Sequence, residues 1–117
     1  LKLAGPEADG VVGSLPGIPL LQMKGGAEFK QAFEAKYGVI QLYAPYVYDA
    51  MKMMAAAMQQ AGSNDPAQYL PALKTMQYQG LTSTIQFDAK GDLTRSPVSL
   101  YQVRNGEWQF LQTAGGE

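Results

Sequence analysis

At Gly80 the spacing of apolar residues changes from helical to alternating, and this switch constrains the fold more than any other feature of the chain. Upstream, the spacing predicts a helix from about Ala27 to Tyr37. Phe29, Ala32, Phe33 and Tyr37 share one side, while Glu28, Lys30, Gln31 and Glu34 are left for water. Gly38 suits its stop. The longest helix is predicted from Ala44 to Ala61. Pro45 falls in its first turn, where the missing N–H would be unpaired anyway. Val47, Met51, Met54, Ala55, Met58 and Gly62 form a stripe read as core, and Gly62 ends the helix. Asp65-Pro66 then reads as an N-cap followed by proline at the first helical position. It opens a shorter helix with Tyr69, Leu70, Leu73 and Met76 as its buried side, bent at Pro71.

Strands are expected on either side of these helices. Gly10 to Leu15 is a short apolar run between turn formers. Leu15-Pro16-Gly17-Ile18-Pro19 follows as an extended connection, either a hinge or a loop. Past Gly80, Ser83, Ile85 and Phe87 alternate with Thr82, Thr84 and Gln86. Asp88 to Asp92 reads as a turn with glycine at positive φ. Val98–Val103 and Glu107–Gln112 are two strands joined by Asn105-Gly106, a strong hairpin signal. Trp108 and Phe110 lie on one apolar face, and Thr113 to Glu117 reads as a frayed end. The fold class expected is α/β: about three helices, a strand and a C-terminal β-hairpin.

With 117 residues, 46% apolar and 16% charged, the chain suits one globular domain. A net charge of −1 makes no electrostatic case for nucleic acid. Cysteine and histidine are both absent, which excludes disulfides, Cys/His zinc sites, thiol nucleophiles and histidine acid–base catalysis. In the Asp88–Asp92 turn, Lys90 occupies the third position and no glutamate closes a calcium loop. Gly25-Gly26 precedes a helix and could offer backbone N–H groups to an anion, but no phosphate-loop pattern surrounds it. Glu7, Asp9, Asp49, Asp88 and Asp92 show no pairing in their spacing. No enzyme activity, metal or cofactor is expected. No apolar run approaches the roughly 18 residues of a membrane-spanning helix.

The segment Tyr43-Ala44-Pro45-Tyr46-Val47-Tyr48-Asp49-Ala50 crowds three tyrosines into the start of the longest helix. Such a cluster is either a ligand wall or ordinary core. Together with its neighbours it carries a resemblance. Ala4-Gly5-Pro6-Glu7-Ala8-Asp9-Gly10-Val11-Val12, the helix ending Ala35-Lys36-Tyr37-Gly38, and Ala61-Gly62-Ser63-Asn64-Asp65-Pro66 run in the same order as in a known family. Gly80 to Asp88, Lys90-Gly91-Asp92 and the closing hairpin complete the succession. The whole resembles the C-terminal part of the periplasmic Leu/Ile/Val-binding proteins, the solute receptors of branched-chain amino acid ABC transporters. Receptors for amides, urea and aromatic acids share the pattern.

The resemblance implies a fragment of a two-lobed type I periplasmic binding protein, whose lobes close on a ligand. Residues 1–17 and 96–117 would come from one lobe and 18–95 from the other, with Leu15 to Pro19 and Leu93 to Pro97 as crossings. It implies an amino acid or small amide ligand, a membrane permease as partner, and a periplasmic or extracellular location, with a lipid anchor as one means of retention. Tyr43 matches the position beside the family's pocket, and Tyr46 is its neighbour. Glu7 does not match the family's acidic ligand residue, and Pro71 departs from the usual helix. Leu1-Lys2-Leu3 reads as cut from something longer, so the piece is expected not to bind ligand alone and to self-associate through exposed edges and helix faces. The rival reading is a self-sufficient small α+β interaction module without catalytic activity.

Overall fold

The computed structural model describes residues 1–115. Its elements are, in order, strand β1 (Val12–Pro16), helices α1 (Gly26–Tyr37), α2 (Ala44–Ala61) and α3 (Pro66–Thr75), and strands β2 (Tyr78–Gln79), β3 (Thr84–Ile85), β4 (Val98–Arg104) and β5 (Glu107–Ala114). Single 3-10 turns lie at Gly5–Ala8 and Leu20–Gln22. The chain divides into two compact units, Leu1–Pro19 with Ser96–Glu117, and Leu20–Arg95.

The first unit is an antiparallel three-stranded sheet in the order β1-β4-β5. Its hairpin turns at Asn105 and Gly106, with φ of 54° and 77°, the two positive angles that a tight type I′ turn demands. The strand expected to fray instead continues. Thr113 and Ala114 pair with Ser99 and Val98, and the buried Ser99 hydroxyl lies 3.0 Å from that of Thr113. Gly116 and Glu117 lie outside the described residues. A register shift beside Tyr101 leaves Leu111 as the extra residue of a bulge, since Leu100 pairs with Gln112 and Tyr101 with Phe110.

Trp108 and Phe110 do share a face, with Phe110 edge-on to Tyr101 at 5.8 Å and 72°. The indole of Trp108 lies against Gly13, where an added Cβ would sit 3.1 Å from Cη2 and 3.3 Å from Cζ3. Gly13 is therefore needed for space. Gly13→Val should displace the ring, cost about 1–2 kcal/mol, and red-shift the emission of the chain's single tryptophan. An unchanged emission maximum in the folded variant would contradict this packing.

The second unit holds the three helices. Helix α1 is preceded by Gly25 at φ 84° and stopped by Gly38 at φ 80°. Lys30 pairs with Glu34 at 2.5 Å, and Glu34 also accepts the Ile40 N–H. The Lys30 hydrogen bond, aided by that N–H, holds the Glu34 carboxyl below the usual glutamate range. Helix α2 has the bounds its sequence predicts. It ends in a Schellman motif, with Gly62 at φ 64° and the Ser63 N–H donating to Met58 O at 3.1 Å. Asp65 caps α3 through Ala67 N–H at 2.9 Å, and the helix runs on through Pro71.

Three expectations need correction. The fully buried positions of α2 are Pro45, Asp49, Met53 and Ala57; of the expected stripe Met54 and Met58 are half-buried, whereas Val47, Met51, Ala55 and Gly62 are exposed. Met53 is 3% exposed and Ala57 0%, whereas Val47 and Met51 are 58% and 60% exposed. The helix is turned so that Asp49 faces inward, and Met53 and Ala57 follow it at i+4 and i+8. Helix α3 buries no residue fully, and Leu70 is exposed. Finally, the strand expected from Thr82 to Phe87 shrinks to Thr84–Ile85, paired with the unforeseen Tyr78–Gln79. The backbone N–H groups of Leu81 and Thr82 are drawn to a side chain instead of a neighbouring strand.

Candidate functional site

Tyr43 immediately precedes α2, and its carbonyl accepts the Val47 N–H at 3.0 Å. Its side chain is 64% exposed. Tyr46, one turn later, is half-buried. The i, i+3 spacing sets the two rings on one side of the helix start. Buried Pro45 between them supplies the rigid first turn. Both residues carry an apolar body with a polar tip, as a small-ligand wall requires.

Tyr48 points elsewhere. Its ring lies 5.2 Å from Phe29, which stacks in turn on Phe33 at 5.7 Å, and Phe33 on Tyr37 at 5.1 Å. This aromatic ladder lines a cleft of about 740 Å³, which Lys24, Glu28, Lys52 and Tyr78 also line. Neither Tyr43 nor Tyr46 lines it. Sequence reasoning passed over Tyr48 because it treated the tyrosines as one cluster, although residues two apart on a helix face different ways.

The strongest polar arrangement of the unit also lies on this cleft. Asp49 is 2% exposed, and its Oδ1 accepts the Leu81 N–H at 2.8 Å. Oδ2 accepts the Thr82 N–H at 2.7 Å and the Thr82 hydroxyl at 2.6 Å. One carboxylate thus satisfies two backbone donors and a side chain of the loop between β2 and β3. The approach is close enough that a Cβ at Gly80 would stand 2.5 Å from Oδ2. Sequence reasoning weighed Asp49 only as a partner for another acid. The available signal was an acidic residue on a face otherwise made of Pro45, Met53 and Ala57.

Chemically, the arrangement positions loops and presents aromatic surface. Among the described residues no three acidic side chains converge to hold a metal ion. The Asp88 carboxylate serves the turn itself, since its Oδ1 accepts the N–H groups of Lys90 and Asp92 at 2.8 and 3.0 Å. Gly91 there has φ 92°, as the sequence led us to expect. No helix among the described residues is long and apolar enough to cross a membrane.

Comparison with known proteins gives these features a context. A family profile described as periplasmic binding protein matches residues 1–107. The chain is 30% identical over 107 residues to Leu/Ile/Val-binding protein homolog 2 of Brucella abortus, covering 91% of this chain and 29% of that protein. Among solved structures, a leucine binding protein from Thermotoga maritima superposes with a TM-score of 0.76 at 22% identity, over 96% of this chain and 33% of that one. An ABC transporter substrate-binding protein from Desulfitobacterium hafniense in complex with Leu gives 0.74 at 25% identity, over 89% and 32%. The chain therefore spans about a third of the length of the relatives it matches.

Proposed function

The chain belongs to the periplasmic binding protein family, a family of binding proteins and not of enzymes, and on that premise we propose that it is part of the solute-binding component of an ABC importer. The substrate class proposed is a branched-chain amino acid or a related small amide, delivered to a membrane permease from the periplasm or the extracellular face. The observation that carries this reading is the match along 91% of the chain to a protein described as Leu/Ile/Val-binding.

In this reading residues 1–17 with 96–117 and residues 18–95 are pieces of the two lobes. The division of the chain at Pro19 and Ser96 supports it. So does the meeting of both connecting segments, where the Gly17 N–H donates to Pro97 O at 2.7 Å and the Ser99 hydroxyl to Gly17 O at 2.7 Å. Gly17 has φ 85°, a conformation that favours glycine. Tyr43 is the proposed pocket wall and Tyr46 its neighbour. Ligand binding would select a closed arrangement of lobes. The 117 residues alone would hold too little of the pocket to bind.

A chimera tests this reading. The remaining two-thirds of the Desulfitobacterium protein, joined to all 117 residues of this chain, should bind leucine, isoleucine or valine in calorimetry, and Tyr43→Ala should weaken binding by about tenfold, or 1.4 kcal/mol. The isolated chain should give no heat. A chimera that melts cooperatively yet binds none of these ligands would overturn the substrate class. Micromolar binding by the isolated chain would overturn the division of the pocket.

A further inference from the structure

We propose that the Ser99 hydroxyl fastens the two connecting segments to each other, so that bending between the units is confined to Ile18 with Pro19 and to Arg95 with Ser96. Both segments leave the three-stranded sheet at the same end, since Pro16, the last residue of β1, pairs with Val98, the first of β4. Ala114, the last of β5, pairs with Val98 from the other side. Just inside that end, Ser99 is 1% exposed and shares a face of β4 with buried Val103. Packing at such a position favours an apolar side chain, and a buried hydroxyl there needs hydrogen-bond partners. It has them, and they lie at the exits.

The donors can be assigned. A carbonyl only accepts, so the single Ser99 proton goes to Gly17 O at 2.7 Å. The Thr113 hydroxyl, 3.0 Å away, must then donate to Ser99 Oγ. The result is a chain of bonds from β5 through β4 to the residue after β1, each polarising the next. The Gly17 N–H donates to Pro97 O at 2.7 Å, so both backbone groups of Gly17 are held by the second segment. In the second unit, Met23 N–H donates to Leu20 O at 3.1 Å and Thr94 N–H to Gln86 O at 2.9 Å, which anchors each segment at its other end. Ile18 and Pro19 remain between anchors in one segment, Arg95 and Ser96 in the other. The inference rests on the two-lobe reading only for what the bending serves, because the fastening lies inside the first unit.

Amide hydrogen exchange on the whole chain, followed by nuclear magnetic resonance, tests this. The Gly17 N–H should be as protected as that of Val103, which donates to Val11 O at 2.9 Å in the same unit. The Ile18 and Arg95 amides should exchange about a hundredfold faster. Ser99→Ala should speed exchange at Gly17 by about tenfold, the loss of one buried hydrogen bond, and leave Val103 unchanged. Thr113→Val is the second variant if the first does not fold, and it should act the same way to a smaller extent. Exchange at Gly17 as fast as at Ile18 would overturn the fastening. So would a Ser99→Ala chain that keeps Gly17 protected, or that loosens Val103 equally. Protection of Ile18 or Arg95 equal to that of Gly17 would overturn the placement of the bend. A chimera that binds no ligand leaves these rates untouched and bears on the lobe reading alone.

Discussion

Asp49→Ala should destabilise the helical unit by about 3 kcal/mol, the larger part of it from stranded donors. The alanine leaves Leu81 N–H and Thr82 N–H pointing into space that nothing on the chain refills. Each such donor costs about 1–3 kcal/mol when buried. The Thr82 group is deeper and sets the higher figure, while water can reach the half-buried Leu81. Asp49→Asn keeps the shape and one acceptor, but turns an amide N–H₂ toward a donor. It should fall between, at about 1.5–2 kcal/mol. Because all three helices lie in this unit, chemical denaturation followed by helical dichroism reads the loss directly. A cost below about 1 kcal/mol for the alanine would mean that the loop is held by something other than this carboxylate.

The latch also marks where the sequence stops being readable. Helix α2, the Asp65 cap and the Asn105-Gly106 turn were legible because their signals are local: a proline in the first turn, a capping side chain two residues from its donor, two positive φ angles in succession. Asp49 and Thr82 are 33 positions apart, and no local propensity records that pairing. Missing it turned α2 the wrong way and led to the misreading of Thr82 as strand. Methionine spacing favours the other face, since Met51, Met54 and Met58 share one side of the helix and only Met53 lies on the side that is buried. For the candidate site, what the sequence carried was the tyrosine-rich helix start. The separation of Tyr43 and Tyr46 from the Tyr48 ladder emerges only once Phe29, Phe33 and Tyr37 stand beside it.

The second large effect is expected at Gly26, whose neighbour in the sequence suggested an anion cradle. Helix propensity says that Gly26→Ala should stabilise α1 by about 0.5–1 kcal/mol. The geometry says the reverse. An added Cβ would sit 1.8 Å from the Leu20 carbonyl oxygen, 2.9 Å from its carbon and 3.3 Å from Met23 Cβ. Those atoms belong to a backbone turn closed by Met23 N–H to Leu20 O at 3.1 Å and Gly26 N–H to Met23 O at 2.9 Å. A side chain could rotate away, but a carbonyl bound into a turn cannot. The alanine must therefore open the turn or tilt the helix off buried Met23, at a cost of about 3 kcal/mol. Gly25→Ala is the control. It meets nothing nearer than Leu81 Cδ1 at 3.8 Å and bears only the strain of φ 84°, about 1–2 kcal/mol. Denaturation of the two variants should thus rank Gly26→Ala as clearly the weaker fold. The opposite order would show that conformation, and not the close approach of α1 to the preceding turn, is what the glycine pair provides.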